Sequence, residues 1–139
     1  MQVALDTNVV SEVIRPQCDP SVMAWIRTLA TGELALPAPC LAELRMGLLR
    51  LPAGARRLDL EQAVDAFIEQ IPAVLPFDKA AAEAYAQLMT VPGRPRSTMD
   101  GLIAPICLAY DLPLATRNVR DFADCGIETL NPWEHSPGV

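Results

Sequence analysis

Short apolar runs alternate with helix-period stretches along the whole chain, and this alternation restricts the fold more than any other feature. Val3-Ala4-Leu5, Leu34-Ala35-Leu36, Val74-Leu75 and Leu112-Pro113-Leu114-Ala115 are brief and continuously apolar, as strands buried on both faces are, and a last strand is expected from Ile127 to Leu130. Between them the spacing changes. After Asp6-Thr7-Asn8 a helix runs to Ile14, and Val22, Trp25, Ile26 and Leu29 share one face of a helix that starts at Ser21 and ends at Thr31-Gly32. Leu41, Leu44, Leu48 and Leu51 mark the next, after Pro37 and Pro39 and before Pro52 and Gly54. Another, from about Arg56 to Ile71, buries Leu60, Val64, Phe67, Ile68 and Ile71 and leaves Arg57, Asp59, Glu61 and Asp65 as solvated charges. Asp78 caps an alanine-rich helix reaching Leu88 and Met89, and Ser97 or Thr98 caps one containing Leu102, Ile103, Ile106, Cys107 and Tyr110.

Strands and helices in this order imply right-handed βαβ units. The expected fold is α/β, with a doubly wound, mainly parallel sheet of four to five strands flanked by helices. The 139 residues suit one domain over 1–139. Ligands of such sheets bind beyond the carboxyl ends of the strands. Asp6 and Thr116-Arg117-Asn118 both fall there.

Composition excludes several function classes. No apolar run approaches the roughly 18–20 residues that span a bilayer, and Asp6 interrupts the place where a signal peptide carries its apolar segment, so a cytoplasmic protein with no membrane association is expected. The cysteines Cys18, Cys40, Cys107 and Cys125 lack CxxC spacing and have one histidine, His135, for company, which favours unbridged structural thiols over a zinc set. One tail histidine cannot build a Ser/His/Asp triad, and there is no Gly-rich phosphate loop. Eleven basic against seventeen acidic residues give a net charge of −6, which argues against a broad cationic surface for nucleic acid. That objection weakens if carboxylates converge on bound cations, which reverse the local field.

Four carboxylates are candidates for such convergence. Asp6 follows a strand and precedes a helix, where an N-cap is also expected. Glu43 borders the apolar stripe of its helix, one turn before Gly47, a residue that costs about 1 kcal/mol relative to alanine but permits close approach by a backbone or ligand. Asp100 lies in a first helical turn, favoured there by the helix dipole, and Asp121 follows a strand in a loop. Each has a local explanation. Gathered at one sheet edge, they form an oxygen site for Mg²⁺ or Mn²⁺ that can polarise a phosphodiester and activate water.

Leu5-Asp6-Thr7-Asn8-Val9-Val10-Ser11-Glu12, Ala42-Glu43-Leu44-Arg45-Met46-Gly47, Asp100-Gly101-Leu102-Ile103-Ala104, Ala115-Thr116-Arg117-Asn118 and Asn131-Pro132-Trp133 resemble, in order, the signature segments of PIN-domain ribonuclease toxins of the VapC/FitB type. The resemblance covers nearly the whole chain. It implies a metal-dependent endoribonuclease that is the toxin of a type II toxin–antitoxin pair. Its catalytic, metal-binding residues would be Asp6, Glu43 and Asp100 with Asp121, using Mg²⁺ or Mn²⁺, while Thr7, Asn8 and Thr116 steady the cluster. The implied partners are an RNA substrate, a small cognate antitoxin whose tail enters the acidic crevice, and a second copy in a homodimer that forms a higher assembly with the antitoxin.

Two departures from the family pattern stand out. The acidic residue expected directly after Thr116-Arg117 is Asn118, with Asp121 three residues on, so either fills the fourth position. Pro105 interrupts a helix that is usually continuous; it marks a late helix start, or it bends the helix at a cost of about 3 kcal/mol. These departures motivate an alternative, a catalytically impaired PIN fold acting mainly through protein binding. A phosphoacceptor or phosphatase on a similar sheet expects an Asp where Asn8 stands, or a lysine after a late strand; the sole lysine is Lys79. Arg94, Arg96, Arg117 and Arg120 are placed either to grip RNA phosphates, or to neutralise the acidic region or bind a partner's carboxylate. Trp133 is expected to pack the C-terminal segment, Trp25 to lie in the core or an interface, and His135 to be a spectator.

Overall fold

In a computed structural model that describes residues 2–92 and 98–136, the apolar runs become strands β1 (Val3–Leu5), β2 (Leu34–Pro37), β3 (Val74–Leu75), β4 (Leu114–Ala115) and β5 (Thr129–Leu130). They form one sheet in the order β3-β2-β1-β4-β5, and every pairing is parallel. Helices α1 (Thr7–Val13), α2 (Pro20–Ile26), α3 (Ala38–Leu49), α4 (Ala55–Gln70), α5 (Lys79–Met89) and α6 (Thr98–Tyr110) connect and cover it. Ala4, Leu5, Ala35, Leu36, Leu114 and Ala115 are wholly buried, which explains why the strands show no polar alternation. Among the described residues no helix is long and apolar enough to cross a membrane.

The strand order fixes where a ligand sits. The chain builds outward from β1 through β2 to β3, then returns to the other side of β1 with β4 and β5. The carboxyl ends of β1 and β4 therefore flank the topological switch point.

Carboxylates set the helix starts. Asp19 Oδ1 accepts the N–H groups of Ser21 (2.8 Å) and Val22 (3.3 Å), with Pro20 at the first helical position where its missing N–H costs nothing. Asp78 caps α5 through Ala81 N–H at 3.0 Å. Glu12, only 7% exposed, accepts from Asp19 N–H and from the Arg15 guanidinium, both at 3.0 Å. It thereby pins the turn between α1 and α2.

Some boundaries differ from expectation. Helix α2 stops at Ile26 because Thr28 and Leu29 N–H groups turn back to Trp25 and Ile26 carbonyls, tightening the last turn. Leu29 still packs on the core from outside the helix. Helix α3 starts earlier, at Ala38, and takes Pro39 into its first turn, where a missing N–H is harmless. The charges of α4 are not merely solvated: Arg57 pairs with Glu61 (2.7 Å) and Arg45 of α3 with Asp65 (2.6 Å). Pro105 is buried inside α6. The helix already begins at Thr98, so Pro105 does not mark a late start; the Gly101 carbonyl forgoes its i+4 donor. Gly101 itself lets α6 approach α5, since a Cβ there would lie 3.3 Å from Met89 sulfur.

Leu36, fully buried in β2, is a direct test of this core. Leu36→Ala is expected to lower unfolding free energy by about 2–5 kcal/mol, seen in urea denaturation as a lower midpoint with an unchanged slope.

Candidate metal centre

Asp6 leaves β1 with extended backbone and becomes the N-cap of α1, its Oδ1 accepting Thr7 N–H at 2.8 Å. Oδ2 accepts the Thr116 hydroxyl at 2.8 Å, from the first residue after β4. Two longer contacts complete the set, Asn8 Nδ2 to Oδ2 at 3.4 Å and the Cys40 thiol to Oδ1 at 3.8 Å. Further bonds tie these partners down. The Thr7 hydroxyl donates to Glu43 Oε1 (2.8 Å), Arg117 N–H to Asn8 Oδ1 (3.2 Å), and Asn118 N–H to Thr116 Oγ1 (3.0 Å). Thr7, Asn8 and Thr116 thus do steady the cluster.

Asp6 is 5% exposed and Thr116 is fully buried. Burial pushes the Asp6 carboxyl above its ordinary value of 3.8. The hydrogen bonds from Thr116, Thr7 and Cys40 oppose that rise, and the negative charge of Asp121 adds to it. Among the described residues no lysine or arginine pairs with Asp6, Glu43 or Asp121. A buried carboxylate without a cation is costly, and a divalent ion beside it removes the cost.

The donor set fits such an ion. Oxygen and sulfur atoms of Asp6, Glu43 and Cys40 lie within 4.8 Å of one another. The two short bonds orient Asp6, while its two long ones leave lone-pair capacity, and Glu43 Oε2 accepts from no described residue. Hard oxygen donors suit Mg²⁺ or Mn²⁺. Burial pushes the Cys40 thiol well above its ordinary 9.0, so the sulfur stays protonated and donates. Sequence reading took Cys40 only as a structural thiol; its spacing three residues before Glu43 on one helix face was the available signal.

The other two carboxylates lie outside this close group. Asp100 is half-buried in the first turn of α6, which packs against α3 and β2. Asp121 is exposed in a 3₁₀ turn over Val119–Phe122, near enough for its charge to act on Asp6. Asn118 reaches the cluster through its backbone N–H rather than by charge. Gly47 meets no backbone; it lines an open groove of about 350 Å³ that runs from Thr7 and Glu43 over Leu44, Leu48 and Val64. Trp133 packs on the core as expected, with the Arg117 guanidinium 4.9 Å above its ring. Arg94 and Arg96 lie outside the described residues.

A carboxylate cluster at the switch point of a five-stranded parallel sheet is the arrangement of a PIN domain, and the family model of the PIN domain matches residues 3–127. The VapC ribonuclease Y4jK of Sinorhizobium fredii is 39% identical over 139 residues, covering 95% of this chain and 98% of that one. Toxin FitB of Neisseria gonorrhoeae is 35% identical over 94% of this chain and 98% of its own. The crystal structure of FitAcB from Neisseria gonorrhoeae superposes with a TM-score of 0.89 at 33% identity, covering 96% of this chain and 99% of that chain. The chain belongs to the PIN-domain family, within its VapC/FitB group.

Two outcomes follow from the geometry. Thr116→Val removes the acceptor of Asn118 N–H and the short bond to Asp6 Oδ2, leaving that oxygen only the long Asn8 contact, so it is expected to cost about 1–3 kcal/mol in chemical unfolding, with Thr116→Ser restoring most of it. The raised Asp6 carboxyl is easier to protonate folded than unfolded. Its contribution therefore favours the metal-free fold below pH 3.8 and is lost as pH rises through the folded value. Protons accordingly compete with cation at a pH above 3.8, and Mn²⁺ affinity in calorimetric titration should begin to fall there. A decline that starts only below 3.8 would contradict the burial effect.

Proposed function

We propose that this chain is a metal-dependent endoribonuclease, the toxin of a type II toxin–antitoxin pair, acting in the cytoplasm as a single PIN domain. The observation that carries the reading is the buried Asp6 carboxylate, which among the described residues pairs with no cationic side chain yet shares its surroundings with Glu43 and the charge of Asp121. Asp6, Glu43 and Asp100 would hold Mg²⁺ or Mn²⁺, with Asp121 contributing charge at the rim. When bound, the ion supplies electrophilic activation of the phosphodiester and acidifies a water. The chain's own residues do the rest. Thr7 N–H and the Thr116 hydroxyl fix the Asp6 carboxylate, the Thr7 hydroxyl fixes Glu43, and Asn118 N–H fixes Thr116. Among the described residues the hydroxyls nearest the carboxylates, those of Thr7 and Thr116, are spent in hydrogen bonds to Glu43 and Asp6, and the Cys40 thiol is buried.

The toxin reading rests on the likeness to proteins named VapC ribonuclease and Toxin FitB. The apolar groove beside Glu43, bordered by Arg15 and Arg56, offers a small antitoxin an apolar bed that leads its tail to the carboxylates. A homodimer is proposed on the same likeness.

The test is cleavage of total bacterial RNA with and without Mn²⁺, with new 5′ ends mapped. Wild type should cut only with metal, and Asp6→Asn should lose more than the roughly 10–100-fold typical of losing a supporting partner of a metal ligand. Equal cutting by both proteins sinks the mechanism.

A further inference from the structure

We infer that Arg117 is a substrate-binding residue whose guanidinium, held over Trp133, grips an RNA backbone phosphate next to the carboxylate cluster; this rests on the ribonuclease reading above. Position is the first argument. Arg117 directly follows Thr116, the buried residue that donates to Asp6, and its own N–H is bonded to Asn8 Oδ1 at 3.2 Å. Its backbone is therefore fixed to the cluster, while the residue itself is exposed.

The second argument is preorganisation. The guanidinium carbon lies 4.9 Å from the Trp133 ring centroid. Trp133 is in turn held by its N–H to Asn131 Oδ1 (3.0 Å), by packing of the Pro132–Glu134 turn against α2, and by the core beneath its ring. An arginine with its flat face covered keeps the N–H groups of its edge for a phosphate, and its rotamer is chosen before the ligand arrives. Because that ring carries the arginine, Trp133 is a positioning residue and not a base-stacking platform.

The third argument is charge. Among the described residues Arg117 has no carboxylate partner, unlike Arg15, Arg45 and Arg57. On a chain of net charge −6, attraction for a polyanion has to be supplied locally. Arg117 borders a groove of about 310 Å³ shared with Asn118, Arg120, Asp121, Asn131 and Glu134. Asp121 connects that groove to Asp6 through its charge. An RNA strand with its scissile phosphate at the cluster lays a neighbouring phosphate along this rim. A carboxylate of the antitoxin is the competing ligand, and the experiment separates the two.

The probe is an RNA oligonucleotide spanning the strongest cut mapped in total RNA, cleaved by the full chain with Mn²⁺ across a salt series. Arg117→Ala should raise KM about tenfold with kcat nearly unchanged, and should flatten the log–log salt dependence of kcat/KM by about one. Arg117→Lys should recover the salt slope but only part of KM, since it keeps charge and loses the stacked fork. Trp133→Leu should raise KM with the salt slope intact; thermal unfolding of each variant confirms that it is folded. Unchanged KM and slope in Arg117→Ala overturn the assignment. So does unchanged RNA kinetics together with weakened binding of the cognate antitoxin, which places Arg117 in that interface instead. A wild type that cuts no RNA at all overturns the ribonuclease reading itself, a different result from an active wild type matched by Arg117→Ala.

Discussion

The hydrogen bond from Thr116 to Asp6 joins residues 110 positions apart, and the rest of the site hangs on it. It closes the gap between β1 and β4 at the point where the sheet reverses direction. On one side, the Thr7 N–H and hydroxyl relay that fixed point to Glu43 on α3. On the other, Thr116 accepts from Asn118 and so sets the loop that leads into the turn bearing Asp121. A wholly buried hydroxyl that both donates and accepts has no slack: each neighbour is oriented by it.

The burial of the same carboxylate bears on how, in the proposed function, an acidic chain would handle a polyanion. Holding a carboxylate under cover raises its proton affinity and stores an unfavourable charge in the protein. No side-chain cation among the described residues relieves Asp6. In the proposed function the relief would come from solution, where a divalent ion would overcompensate the charge and turn a repulsive patch into an attractive one. The overall charge of −6 then describes the surface away from the centre better than the place where phosphate arrives.

Much of this was legible in the residue pattern. Continuously apolar triplets gave the central strands, because strands buried on both faces need no alternation, and Asp19 and Asp78 announced helix starts by their chemistry. Thr7, Asn8 and Thr116 were legible only as members of ordered segments; nothing in the spacing of Thr116 indicates that its hydroxyl lies on Asp6. What stayed hidden depends on tertiary geometry. Whether Arg45 finds Asp65 turns on the packing of α3 against α4. The end of α2 turns on two i→i+3 bonds. The part played by Cys40 depends on the reach of one thiol from α3 to the carboxyl end of β1. Between the two candidates for the fourth acidic position, Asn118 touches Thr116 through its backbone N–H and Asp121 acts on Asp6 by charge, a difference that the sequence leaves open.

β1 pairs with β4 in parallel, and the two residues that meet at their carboxyl ends are made 110 positions apart. Non-local parallel pairings form late, after the entropy of closing long loops has been met. Helix α1, seven residues long, has too few turns to persist by itself and gains its order from the sheet. A nascent chain that has not yet extended past β4 therefore has Asp6 and Glu43 but no Thr116 to seat them. The acidic centre is completed only with the β1–β4 pairing, and the 110 positions from Asp6 to Thr116 are translated before its last support exists.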